Sequence, residues 1–94
     1  MIRSYGDRDT REVAYGRDVR RFRGIAAQAQ RRLQFLNAAA SLDELRQVRG
    51  NRLEVLRGDL AGLYSIRINR QWRLVFRWDA GADGPEDVRI MDYH

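Results

Sequence analysis

The sequence predicts a small α+β domain, with helices packed on one face of a small antiparallel sheet. Three observations lead there. Up to about Gln47 the apolar residues recur at helical spacing, and from Asn51 they alternate with the two-residue period of strands. The strand-length runs are joined by short connections rich in turn residues, which makes neighbours antiparallel hairpins. The chain has 94 residues with no repeat, low-complexity tract or dividing linker, so residues 1–94 form a single domain around one core.

Taken in order, "MIRSY" reads as a short first strand. "DTREVAYG" follows as a short helix, with Asp9 and Glu12 at capping-box spacing and Gly16 as its stop. Arg17 to Gly24 is anchored by Val19 and Phe22 and is compatible with helix or loop. The clearest helix is "IAAQAQRRLQFLNAAA", where Ile25, Ala29, Leu33, Leu36 and Ala40 form one stripe. Ser41 and Glu44 repeat the capping-box spacing and start a further turn. "RLEVLRG", "LYSIRIN", "WRLVFRW" and "VRIMDY" are the four strands, with "GDLAG" and "DAGADGPED" as turns. The helices then cover one face of the sheet.

The two middle strands set the surface. Tyr64, Ile66 and Ile68 point one way, and Ser65 and Arg67 the other; Trp72, Leu74, Phe76 and Trp78 share a face opposed to Arg73, Val75 and Arg77. A three-residue loop, Asn69-Arg70-Gln71, makes the apolar faces coincide by pairing Ile68 with Trp72, Ile66 with Leu74 and Tyr64 with Phe76. It also sets Arg67 opposite Arg73 and Ser65 opposite Val75. Like charges in that position cost about a few tenths of a kcal/mol. Either both arginines splay into solvent, or they hold an anion between them on the uncovered face of the sheet. In the last strand, Val88 and Ile90 toward the core would put Arg89 and Tyr93 on the arginine face. Tyr93 is then an edge aromatic or a stacking platform for a base. His94, the only histidine, ends the chain and can turn to either side.

Composition narrows the chemistry. No apolar run approaches the roughly 20 residues that span a bilayer, and the N-terminus lacks a secretory h-region. There is no cysteine, which fits the cytoplasm; one histidine and no cysteine argue against a zinc site. All 18 basic residues are arginine. A GC-rich coding sequence is a sufficient cause, yet arginine's planar fork grips phosphate bidentately and stacks on bases whatever the cause. Arg46 to Arg77 holds eight arginines against Glu54 and Asp59, whereas Trp78 to His94 holds five acids against Arg89. A basic middle suits an anionic partner.

Walker, nucleophile-elbow, HExxH and dinucleotide-loop motifs are absent. Cleaving RNA through its own 2′-hydroxyl needs a base, an acid and cations at phosphorus. Histidine, with an unperturbed pKa of about 6.5, suits proton transfer, and arginine suits the third task. A metal-free, cofactor-free nuclease site is therefore the enzyme class permitted, beside an RNA- or protein-binding module.

The run "NRLEVLRGDLAGLYSIRINRQWRLVFRW", closing with "DYH", resembles the HigB toxins of the RelE superfamily, above all in L-R-G-D-x-x-G-x-Y-S-I-R-I-N-x-Q-W-R. "MIRSYGDRDTREVAYG" and the "RRL" helix extend the resemblance over essentially the whole chain. It implies the RelE fold, helices against a curved antiparallel sheet. It also implies a cytoplasmic toxin of a toxin–antitoxin pair that enters the ribosomal A site and cuts mRNA there. The implied partner is a HigA-type antitoxin with a helix-turn-helix domain, which with the toxin binds operator DNA at its own promoter. By position, Arg73 matches the arginine at the scissile phosphate, Asp92, Tyr93 and His94 match the catalytic cluster, and Arg57 stands at a phosphate contact. Arg67, from the register, and Arg77 join the expected phosphate-binding set. Glu54 departs from the relatives that carry histidine there; a carboxylate can act as base but repels phosphate. The rivals are a RelE-like module that only binds antitoxin, promoter complex or ribosome, and a free ribonuclease.

Overall fold

The computed structural model describes residues 1–92; Tyr93 and His94 lie outside the described residues. Three helices, α1 (Arg8–Ala14), α2 (Ala26–Ala38) and α3 (Leu42–Gln47), precede four strands, β1 (Glu54–Val55), β2 (Tyr64–Arg67), β3 (Trp72–Arg77) and β4 (Glu86–Asp92). The sheet runs in the order β1-β2-β3-β4 with every neighbouring pair antiparallel. One face carries Ile66, Leu74, Phe76, Val88 and Ile90, which pack in one cluster with Val13, Phe22, Ala29, Leu33 and Leu36. The α+β architecture is the expected one.

The N-terminal segment is not a regular strand. Tyr5 makes a single parallel bridge to Val88. Around it, Arg3 N donates to the Pro85 carbonyl, Val88 N to the Ser4 carbonyl and Gly6 N to the Val88 carbonyl. The segment passes so close to Gly84 that a Cβ there would overlap the Met1 carbonyl oxygen. Regular pairing is cut short beside an irregularity in β4, whose register with β3 shifts between Val75 and Arg77. Asp87, at φ 54°, lies at that shift and its amide donates to Ser4 Oγ at 2.9 Å. Aspartate tolerates this left-handed conformation better than bulkier residues do.

Helix α1 begins earlier than its capping-box spacing predicts. Asp7, not Asp9, is the cap, and its carboxylate accepts from Thr10 N at 2.7 Å. Glu12 instead takes the Arg17 guanidinium. The ambiguous stretch resolves into a 3-10 turn, Arg20–Ile25, that buries Phe22. On α2 the stripe Ile25, Ala29, Leu33 and Leu36 is buried as expected, but it closes on Ala39 rather than Ala40. The chain leaves helical geometry at Ala39, so the helical period no longer applies beyond it. Ser41 caps α3 as predicted, accepting from Glu44 N at 3.3 Å, while Glu44 reaches back to Ala40 N. The first strand shrinks to two residues, bracketed by left-handed Arg52 (φ 44°) and Gly58 (φ 64°).

The second face of the sheet is not left uncovered. Ser65, Arg73 and Val75 on it are all buried, as is Leu56 just after β1. The Arg52 carbonyl and the Glu54 side chain both reach Arg73 on this face.

Candidate nucleic-acid interface

The predicted register is the observed one: Tyr64 faces Phe76, Ser65 faces Val75, Ile66 faces Leu74 and Arg67 faces Arg73. Ile68 N donates to the Trp72 carbonyl at 2.9 Å, closing the three-residue loop. Asn69 holds that loop from within. Its Oδ1 accepts from Gln71 N at 2.8 Å and Trp72 N at 2.9 Å, and its Nδ2 donates to Gln28 of α2 at 3.5 Å. Arg70 is therefore presented at a fixed loop tip.

Beside this hairpin lies a cleft of about 260 Å³ lined by Arg52, Glu54, Arg67, Asn69, Arg70 and Arg73. Four arginines and one acidic residue line it. Arg73 does not splay into solvent, the first of the two routes the sequence suggests for relieving the Arg67–Arg73 repulsion. Arg73 turns into the protein, 7% exposed. Its Nε donates to Ser65 Oγ at 2.7 Å, its Nη2 to the Arg52 carbonyl at 2.6 Å, and Nη1 lies 3.6 Å from Glu54 Oε1. A buried charge with so many acceptors is stably held, because removing any one would leave an uncompensated donor. Arg67 stays half-buried on the cleft wall. Arg52 aims its carbonyl at Arg73 by adopting the left-handed conformation, which costs a non-glycine residue roughly 1–2 kcal/mol.

The remaining expected residues are scattered. Arg57 is exposed, just ahead of the 3-10 turn Gly58–Leu60, and does not line the cleft. Arg77 is gripped by Glu86 at 2.5 Å, Asp87 at 2.7 Å and Asp79 at 3.5 Å, and the Glu86 hydrogen bond raises its pKa further. Arg89 pairs with Val75 as parity requires, but its guanidinium lies against Gly6, where a Cβ would come within 2.5 Å of it. Asp92 registers opposite Trp72, on the core-facing parity, and accepts from Gln71 Nε2 at 3.0 Å. It thus faces away from Arg73, as strand parity allowed. Tyr93 and His94, the other members of the expected catalytic cluster, are outside the described residues.

Arg52, Asn69 and Arg70 are cleft residues that sequence reasoning missed. Arg70 was within reach, being the middle of a loop already placed beside Arg67 and Arg73. Arg52 carried no signal, since nothing in "GNRLE" announces a left-handed turn. Among the described residues no group of three His, Cys, Asp or Glu side chains is placed to hold a metal ion.

Known proteins resemble this chain in sequence and fold. The family model for HigB-like toxins, RelE-like toxins of type II toxin–antitoxin system HigB, matches residues 5–94. Toxin HigB-1 of Vibrio cholerae serotype O1 is 49% identical over 64 residues, which cover 68% of this chain and 64% of that protein. An uncharacterized protein of Haemophilus influenzae is 35% identical over 49 residues, or 52% of this chain and 48% of that one. The matched stretches span less than two thirds of either relative's own length. Two solved YoeB–YefM toxin–antitoxin complexes from Staphylococcus aureus share the fold, with TM-scores of 0.62 and 0.56 at 19% identity, covering 100% of this chain and 98% of theirs. The family match spans nearly the whole chain, and the helices against an open antiparallel sheet agree with it. The chain belongs to the HigB-like family of RelE-like toxins from type II toxin–antitoxin systems.

Proposed function

We propose that this protein is a ribosome-dependent mRNA endoribonuclease that cuts mRNA in the ribosomal A site, arrests translation and growth, and is neutralised by a HigA-type antitoxin. The observation carrying the reading is the convergence of Arg67 and Arg73, with Arg52 and Arg70, in one cleft beside β2 and β3. The 2′-hydroxyl of the RNA attacks the adjacent phosphorus, and the 5′ oxygen leaves. Arg73, already fixed by Ser65 and Arg52, stabilises the charge that develops on the phosphorane oxygens without reorganising during the step. Arg67, Arg70 and Arg52 grip the flanking phosphates, with Arg57 as a more distant contact. His94 serves as acid or base, Tyr93 stacks on a base or orients it, and Glu54 on the cleft wall is a candidate proton acceptor. Asp92 orients a neighbour from the opposite parity. Arg77, held by three carboxylates, is left out of the proposed set.

So small an arginine cleft cannot align a flexible RNA unaided, which supports dependence on the ribosome. The YoeB–YefM neighbours were solved as complexes with their antitoxin, which supports an antitoxin partner here; operator DNA is then reached through the toxin–antitoxin complex. The second reading, a module that binds without cutting, is favoured by the protein partners that Arg73 already has.

Induced expression separates the two. Wild type is expected to arrest growth, with cuts in translated mRNA found by primer extension. Arg73→Ala and a chain lacking His94 are expected to do neither, and naked RNA to be cut far more slowly than translated mRNA. Growth arrest that survives both changes rejects the catalytic assignment.

A further inference from the structure

Away from the arginine cleft, α2 and α3 leave an apolar groove open. Phe35 and Val48 are 44% and 38% exposed. With Ala38, Ala39 and Leu45 they line a hollow of about 180 Å³, walled at its ends by Glu44 and Asn51. An isolated exposed apolar residue is ordinary, but two flanking one hollow have the form of a recognition site.

The rim is positive. The Arg32 guanidinium lies 5.7 Å from the Phe35 ring centroid and donates to Asn51 Oδ1 at 2.7 Å. Arg31 is four residues before Phe35 and so on the same side of α2, and Arg49 follows Val48. None of these three has a carboxylate partner among the described residues. The contrast with the region of α1 is sharp. There Arg8 and Arg17 share Glu12, Arg21 has Asp9 and Arg23 has Asp18. Around α1 four arginines are matched by carboxylates, whereas among the described residues Arg31, Arg32 and Arg49 beside the apolar hollow are not, although Arg46 on α3 pairs with Asp43.

We infer that the Phe35–Val48 groove docks an acidic, amphipathic segment of the antitoxin, its apolar side chain seated in the hollow and its carboxylates on Arg31, Arg32 and Arg49. The inference rests on the antitoxin partnership proposed above. The shape and lining of the hollow favour a protein segment. The hollow is a concave pocket lined mainly by Phe35, Ala38, Ala39, Leu45 and Val48, which suits a single inserted apolar side chain. The groove shares no lining residue with the arginine cleft, so this contact leaves the cleft's own side chains in place.

The test uses purified full-length toxin and its cognate antitoxin, with affinity measured by titration calorimetry at two salt concentrations. Both Phe35→Asp and Arg49→Glu change exposed positions, and urea melts establish that each variant is folded. Phe35→Asp is expected to weaken the antitoxin by at least about 30-fold, the scale of a central anchor residue. Arg49→Glu is expected to weaken it about 10-fold and to flatten its salt dependence. Expressed alone, both arrest growth like wild type; expressed with antitoxin, wild type is rescued and Phe35→Asp is not. Wild-type affinity in both variants overturns the inference. Loss of growth arrest with antitoxin affinity intact also overturns it and assigns the groove to RNA. Wild-type toxin that the antitoxin neither binds nor neutralises has a different signature and removes the partnership itself, the inference with it.

Discussion

Replacing Ser65 with alanine tests whether Arg73 acts as a held group or merely as a positive charge. Ser65 is fully buried and its Oγ accepts from Arg73 Nε at 2.7 Å. A hydrogen bond to a charged donor contributes about 1.5–3 kcal/mol, and its removal weakens the hold on a buried guanidinium. The Arg52 carbonyl at 2.6 Å remains, so the side chain is loosened rather than released. We expect a stability loss of about 2 kcal/mol out of the roughly 5–14 kcal/mol ordinary for a domain of this length, which leaves the variant folded. The corresponding fall in Tm is about 10 °C. The charge persists, so affinity for ribosome-bound mRNA changes by less than about 3-fold. The bond-breaking rate falls roughly 10- to 100-fold, because a transition-state contact is sensitive to displacements of an ångström. Urea melts give the first quantity and single-turnover cleavage with toxin in excess gives the second. Cleavage at the wild-type rate from a protein that has lost the expected stability would refute the held-arginine argument.

Other perturbations probe other parts of the molecule. Arg52→Gly relieves a left-handed residue, so stability should rise by about 0.5–1 kcal/mol after glycine's own entropic cost, while RNA affinity falls and its salt slope shrinks by about one contact; a calorimetric Tm below wild type contradicts this. Gly84→Ala sets a Cβ against the Met1 carbonyl and should cost about 1–3 kcal/mol while speeding hydrogen exchange at the Arg3 and Gly6 amides, which unchanged exchange would disprove. Hydrogen bonds from Arg17 and Arg23 hold the Glu12 and Asp18 carboxyls below their ordinary range. Folded-state values depressed in this way stabilise the protein above the ordinary carboxylate range, and the benefit is lost as pH falls through the depressed values, below about pH 4. Exposed pairs contribute little, so Arg17→Gln with Arg23→Gln should flatten the acid limb of a urea-midpoint profile only modestly. An unchanged limb would remove these pairs from the account.

The parts of the fold legible in the sequence are those set by a single local period. Ile25, Ala29, Leu33 and Leu36 bury together because helical spacing alone puts them on one stripe. The Tyr64–Phe76 and Ile66–Leu74 pairs followed from matching two apolar alternations across three loop residues. What was not legible depends on groups distant along the chain or on backbone direction. Asp7 and Asp9 both precede helical sequence; the choice between them rests partly on Arg17 drawing Glu12 away from a capping role. Placing Arg67 against Arg73 needed only the period of two. Burial of Arg73 depends on a carbonyl at Arg52 that points correctly at one φ value, and no residue pattern encodes that.

The fate of this like-charge pair explains why the cleft suits an anion. Two solvated arginines would each lose about 0.5–1.5 kcal/mol of side-chain freedom on closing around a phosphate. Here folding has already ordered Arg73, so only Arg67 and the exposed Arg70 and Arg52 remain to be ordered by a ligand. Glu54 is the sole carboxylate lining the cleft among the described residues, and it is half-exposed at 3.6 Å from Arg73. A single 3.6 Å contact to a half-exposed carboxylate is weaker than the shorter charge-assisted bonds a phosphate makes to guanidinium groups. A phosphate oxygen can therefore take the place of Glu54 at Arg73 while the bonds to Ser65 and the Arg52 carbonyl stay in place.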